Sequence, residues 1–200
     1  MRTDRMPLVP SLEVLHEIRK DEIVVTSMSV AREWMKLSKH PLDFHFVPSS
    51  MGQATALGQG IALAQPHRKV IVCTGDGSIL MNLGSLISIT DAWPNNLIVL
   101  LFDNGVYEVT GGQLTPAANQ PASGGSRIDF AKLGYACGYQ AVWSIDSIAR
   151  WREMLPDILQ QEQPVLVVLK VQPTEGAVGP QSPGPGGERA QAFRDALTRR

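Results

Sequence analysis

The chain is predicted to fold as a doubly wound α/β domain, a mostly parallel six-stranded sheet with helices on both faces. Three observations predict it. Short apolar, β-branched runs recur along the 200 residues, each too short for a helix of ordinary length. Stretches with apolar residues at helical spacing separate them. Polar, glycine-bearing turns then stand at strand carboxyl ends, where open α/β sheets hold their ligands.

Taken in order, residues 1 to 10 read as a lead-in, and Ser11 is the expected N-cap of a helix to Lys20 that places Leu12, Leu15 and Ile18 on one face. A strand from Glu22 to Thr26 follows, then a helix from about Val30 to Leu37. Thr26, Ser27 and Ser29 serve as helix caps or face a ligand. Asp43 to Val47 reads as the next strand, and Pro48-Ser49-Ser50-Met51-Gly52 leads into QATALGQGIALAQ, a helix of small residues suited to close packing and stopped by Pro66. Lys69 to Thr74 and Leu97 to Phe102 read as buried parallel strands, with one helix expected from Ile79 to Trp93 between them. Val106 to Pro116 reads as a loop, and Ala117 to Ser126 as a small, polar, flexible segment. Asp129 caps a helix to Gly138, Gln140 to Ser144 is a strand, Asp146 caps a long helix to Gln161, and Pro164 to Val171 is the last core strand. From Glu175 the run GAVGPQSPGPGGE reads as an extended connector, and Glu188 to Arg200 as a short helix with a solvated charged face. The expected division is an α/β domain over 1–175 and a connector with its helix over 176–200.

Composition narrows the partners. With 44% hydrophobic and 18% charged residues the chain resembles an ordinary globular domain, and a formal charge of -1 gives no electrostatic case for nucleic acid or an anionic membrane. No apolar segment approaches ~20 residues, and MRTDRMPLVP has no secretory core, so no membrane partner and a cytoplasmic location are expected. Cys73 and Cys137 show no metal spacing and read as small core residues. His45 is the one histidine expected near the site, as a proton carrier or a structural group.

The site is read from two turns. Gly75-Asp76-Gly77-Ser78 opens a helix after one strand, and Asp103-Asn104-Gly105 closes the next, so Asp76 and Asn104 should converge. Glycines and a helix N-terminus suit a phosphate, since backbone N–H groups approach it and the dipole favours negative charge. A carboxylate in the same turn repels that phosphate unless a cation lies between them. Magnesium resolves the conflict, because it takes oxygen ligands from one or two protein groups together with phosphate oxygens. Asp76, the Asn104 amide oxygen and a nearby carbonyl are the expected ligands of a magnesium diphosphate.

This pattern, GDG followed by Asn at the end of the next strand, resembles the signature of thiamine-diphosphate-dependent enzymes. The resemblance covers nearly the whole chain, but only the diphosphate-binding half of such an enzyme. It implies that Asp76, Asn104 and the Val106 carbonyl bind Mg2+, that Gly75, Gly77 and Ser78 hold the diphosphate, and that Tyr107 flanks them. It further implies that Met51 props the bent thiamine and that the Ser49 carbonyl meets the aminopyrimidine; without that motif Met51 reads as a core side chain. The string TGGQ-T is similar to the sulfopyruvate and phosphonopyruvate decarboxylase group and makes Thr110 and Gln113 the catalytic candidates. The implied chemistry is decarboxylation of a small 2-oxo acid, with Arg32 or Arg127 as candidate cations for an anionic substituent. A carboligase, an oxidoreductase subunit or a non-catalytic cofactor-binding module is the alternative. The activating Glu of this family lies in a separate pyrimidine-binding domain, which the chain has no residues left to build. The expected partner is therefore an α-type subunit in a hetero-oligomer.

Overall fold

The computed structural model describes residues 5–48, 51–118 and 128–198. Its sheet is built from β1 (Ile23–Ser27), β2 (Asp43–Phe46), β3 (Val70–Gly75), β4 (Leu97–Asp103), β7 (Ala141–Ile145) and β8 (Val165–Lys170), all parallel, in the order β2-β1-β3-β4-β8-β7. The remaining strands, β5 (Val106–Tyr107) and β6 (Gln113–Leu114), pair antiparallel within the stretch expected to be loop. The order reverses around β1: the chain steps outward to β2, then crosses back to β3. Such a reversal leaves a crevice at the strand carboxyl ends.

Alternation along the buried strands supplies both cores. Val24, Ile71, Cys73, Ile98, Leu100 and Val167 face α1 (Leu8–Ile18), α2 (Met28–Leu37) and α7 (Ile148–Leu159). Val25, Val72, Val99, Leu101 and Val168 face α3 (Ala54–Ala64), α4 (Asp76–Met81), α5 (Gly84–Ala92), α6 (Phe130–Ala136) and α8 (Gly186–Thr198). Cys73 is fully buried, while Cys137 is a half-buried C-cap.

Several boundaries differ from the sequence expectation. α1 starts at Leu8 behind Pro7, whose fixed φ suits a helix start, and Ser11 is a buried helical residue whose hydroxyl donates to the Leu8 carbonyl at 2.6 Å. α2 begins directly after β1, with Met28 at a left-handed φ of 53° to make the turn. Asp129 caps α6 through the N–H groups of Ala131 and Lys132, as expected, but the cap of α7 is Ser147, not Asp146. The helix expected over 79–93 is two helices. Asn82 interrupts it, because its amide donates to the Gly52 carbonyl at 3.0 Å and its own carbonyl accepts the Ser85 hydroxyl at 2.8 Å. α4 consequently begins at Asp76, so the GDG turn is the first turn of a helix.

Candidate functional site

A cavity of about 200 Å³ lies at the carboxyl ends of β1, β3, β4 and β8. Ser27 to Val30 form one wall, Gly75 to Ser78 the second, and Phe102, Asn104 and the stretch from Val106 to Thr110 the third; Met51 and Met81 stand at its edge. Nine of the residues singled out from sequence therefore line one space: Met51, Gly75, Asp76, Gly77, Ser78, Asn104, Val106, Tyr107 and Thr110. Ser49 and Arg127 lie outside the described residues. Gln113 does not line the cavity. It is exposed and folds back on the loop, where its Oε1 accepts the Thr110 hydroxyl at 2.9 Å and its Nε2 donates to the Thr110 carbonyl at 2.8 Å.

Asp76 is the electrostatic centre. Its side chain is buried and accepts hydrogen bonds from the Thr115 hydroxyl at 3.1 Å and from the backbone N–H groups of Gly77 and Asn104. Burial, first, and the Asp103 carboxylate, second, nevertheless push its pKa from an ordinary 3.8 up to about 7. Asp103 has its own cations in Arg5 and Lys170, whereas no ion pair reaches Asp76 among the described residues. A buried carboxylate held by three donors and still penalised for its charge fits a divalent cation. The Asn104 amide oxygen accepts the Val106 N–H at 2.9 Å, which leaves it a second lone pair for a metal. Among the described residues no group of three or more His, Cys, Asp or Glu could hold a metal.

The two glycines differ in their reason. A Cβ at Gly75 would meet only the Phe102 carbonyl oxygen, at 4.0 Å, so that side is open for a ligand. At Gly77 it would lie 2.5 Å from Tyr107 Cε1 and 2.7 Å from Cδ1. Gly77 is therefore glycine because the Tyr107 ring occupies the space of a Cβ, and its N–H is already committed to Asp76. Ser78, buried at the cavity wall, is the side chain of this turn left to meet an anion.

Sequence reasoning missed Thr115 as a site residue, although it closes the TGGQ-T string: its N–H donates to the Gly105 carbonyl and its hydroxyl orients Asp76. The sequence allows Ser27 and Ser29 to be either helix caps or ligand-facing residues, and the structure puts both on the cavity wall. Ser27 is the N-cap residue of α2 but its side chain accepts no cap bond; its hydroxyl donates to Thr74 Oγ1 at 3.3 Å. His45 is not among the lining residues. Its Nδ1 sits 2.9 Å from the Thr26 hydroxyl on the neighbouring strand, and burial pushes its pKa down. Arg32 lies off the cavity too, bonded to Glu33 and, at 2.6 Å, to the Val178 carbonyl.

Residues 25–169 match the family model described as thiamine pyrophosphate enzyme, C-terminal TPP binding domain. The chain belongs to this family. It is 38% identical over 161 residues to a phosphonopyruvate decarboxylase of Streptomyces viridochromogenes, covering 80% of this chain and 38% of that one. It is 34% identical over 141 residues to sulfopyruvate decarboxylase subunit beta of Methanothermobacter thermautotrophicus, covering 70% and 71%. The chain thus spans about two fifths of the Streptomyces enzymes it matches, 38% of one and 41% of another. The fold resembles 2-oxoglutarate:ferredoxin oxidoreductase from Magnetococcus marinus, with a TM-score of 0.66 at 19% identity over 86% of this chain and 62% of that one. Among the described residues no helix is long and apolar enough to cross a membrane.

Proposed function

We propose that the chain is the diphosphate-binding subunit of a thiamine-diphosphate-dependent decarboxylase of small 2-oxo acids, completed by a second, pyrimidine-binding polypeptide. The observation that carries this reading is the buried Asp76 carboxylate, with no counter-charge among the described residues, set beside Asn104 on one cavity. When bound, thiamine diphosphate supplies an electron sink for the carbon that loses carbon dioxide. The chain's own residues do the holding. Asp76, the Asn104 amide oxygen and the Val106 carbonyl would take Mg2+, Thr115 keeps Asp76 oriented, and Ser78 meets the diphosphate. Met51 lies at the cavity edge, against the organic part of the cofactor.

The relatives named for phosphonopyruvate and sulfopyruvate support 2-oxo acids with an anionic group on C3 as the substrate class. No Lys, Arg or His lines the cavity among the described residues. Arg127, which lies outside them, or a cation of the partner polypeptide would meet that group, and the activating Glu comes from the partner.

Binding and turnover should separate. Mg2+ with thiamine diphosphate is expected to raise the melting temperature of the chain alone by mass action, and Asp76→Ala to abolish that shift. Decarboxylation of 3-sulfopyruvate or phosphonopyruvate should appear only with the pyrimidine-binding polypeptide added, since acid–base help is typically worth ~10²–10⁴-fold. Turnover by the chain alone, absent from an Asp76→Ala control, would overturn the split-subunit reading.

A further inference from the structure

Arg189 departs from the solvated charged face expected of α8. It is half-buried, and each nitrogen of its guanidinium donates to a backbone carbonyl: Nε to Gly184 at 3.2 Å, one terminal nitrogen to His45 at 2.7 Å and the other to Val47. The Gly184 bond, just ahead of α8, orients the fork, and the other two hold the strand end. β2 is an edge strand paired with β1, and that pairing stops at Phe46. Beyond it the Val47 N–H turns back to the His45 carbonyl at 2.8 Å. Arg189 therefore fixes the backbone at the point where it leaves the sheet. The chain is fastened again at Gly52, whose carbonyl accepts the Asn82 amide at 3.0 Å and the Thr55 hydroxyl at 3.4 Å. Asn82 ends α4, the helix that begins with Asp76, Gly77 and Ser78. Met51, on the cavity edge, stands between the two fastenings.

We propose that Arg189 is a positioning residue for the cofactor: through the carbonyls of His45 and Val47 it sets Met51 against the organic half of thiamine diphosphate. The inference rests on the functional reading above and adds to it a residue from the last helix of the chain. The diphosphate half is held without Arg189, because Asp76, Ser78 and Asn104 take their places from β3, α4 and β4, on the far side of β1 from this edge. Arginine suits the task where lysine does not, since a planar fork reaches two carbonyls at once and an ammonium is a point charge on a flexible stem. The helix itself does not depend on the guanidinium. Phe193 packs on Phe44 with ring centroids 5.0 Å apart and docks α8 whatever stands at position 189. Loss of the guanidinium accordingly frees the strand end while α8 stays in place.

The test titrates the full chain with Mg2+ and thiamine diphosphate, and separately with Mg2+ and inorganic diphosphate. The preference for the first ligand over the second reads the hold on the organic half alone. Arg189→Met keeps an apolar stem and should lower that preference by on the order of tenfold, because bonds from a charged donor are lost. Its Kd for inorganic diphosphate should stay at the wild-type value, which also verifies the fold. Arg189→Lys should lose most of the same factor, and it carries the comparison if the methionine variant does not fold. Arg194→Met, on the same helix but exposed and bonded to Gln191, should change neither constant. In a Met51→Ala background Arg189→Met should add little, since both act on one contact. An unchanged preference in the Arg189 variants, an equal weakening of both ligands, or full additivity with Met51→Ala overturns the assignment. A wild-type chain that binds neither ligand removes the functional reading and this inference with it, whereas a wild-type preference that survives in the Arg189 variants removes the inference alone.

Discussion

Asp76 shows what a single buried charge costs a protein that keeps it. Its pKa is raised from 3.8 to about 7, so between those values the folded chain holds a proton that the unfolded chain releases. The stability this contributes is full below about pH 4 and is lost as pH rises through 7, which amounts to about 4 kcal/mol for three pKa units. In chelator, the metal-free chain should therefore lose stability between pH 5 and pH 8, whereas Asp76→Asn should flatten that loss. Urea midpoints at the two pH values measure it, and a wild-type loss that Asp76→Asn preserves would place the titration elsewhere. Asp76 and Asn104 were legible in sequence because each is fixed by a local event, a turn at the end of an apolar run. Thr115 was not, since its bond to Asp76 depends on the β5–β6 hairpin folding back. The purpose of Gly77 was hidden for the same reason: the ring that needs it is Tyr107, two strands later. Gly77→Ala should cost about 1–3 kcal/mol through overpacking and weaken the ligand-induced shift, and Tyr107→Ala should relieve part of that cost. Additive losses in the double variant would mean that Gly77 answers to something other than the ring.

Among the elements, the strands were plain in the sequence because parallel strands buried on both faces read as unbroken apolar runs. β3, β4 and β8 show this, with Val70 to Thr74, Leu97 to Asp103 and Val165 to Leu169 all buried. The break between α4 and α5 was not legible, since Asn82 is compatible with a helix until its side chain finds the Gly52 carbonyl. α3 makes a sharper contrast between its two central glycines. A Cβ at Gly58 would lie 2.1 Å from Val72 Cγ2, so the helix rides directly on β3 there, while Gly60 faces open space. Gly58→Ala should destabilise the chain by about 1–3 kcal/mol, and Gly60→Ala should stabilise it by about 0.5–1 kcal/mol through helix propensity. Thermal melts of the two variants decide the matter. Equal destabilisation would show that the outer side of α3 is packed after all.

At the scale of the whole molecule, the carboxyl-terminal stretch returns across the end of the sheet that carries the cavity. Its composition from Glu175 reads as a connector, and the inward residues of α8 are too few to give a clear apolar face, so sequence alone left it solvated. The structure ties it down at successive points. The Thr174 N–H donates to Glu108 Oε1 at 2.8 Å, the Val178 carbonyl accepts from Arg32, and a Cβ at Gly179 would lie 3.1 Å from Val109. Beyond the glycines, Arg189 donates to the carbonyls of His45 and Val47, and Phe193 packs on Phe44 with ring centroids 5.0 Å apart. Phe193 and Ala196 are buried in the core cluster beneath. Truncation after Glu175 should therefore cost more than the loss of a tail. Removing Phe193 alone takes away a contribution of about 3–5 kcal/mol, and the β2 edge loses its cover. The Val106–Thr110 wall loses the Gly179 contact at Val109 that braces it from outside, and Arg32 loses the Val178 carbonyl. We expect the truncated chain to unfold at lower urea with a smaller m-value, and its amides from Glu108 to Leu114 to exchange faster than in the full chain. The shift given by Mg2+ and thiamine diphosphate should shrink but persist, because every proposed ligand of the cofactor lies before the cut. A truncated chain with the full urea midpoint and unchanged exchange in that wall would show that residues 1–175 stand as a unit without the helix that follows them.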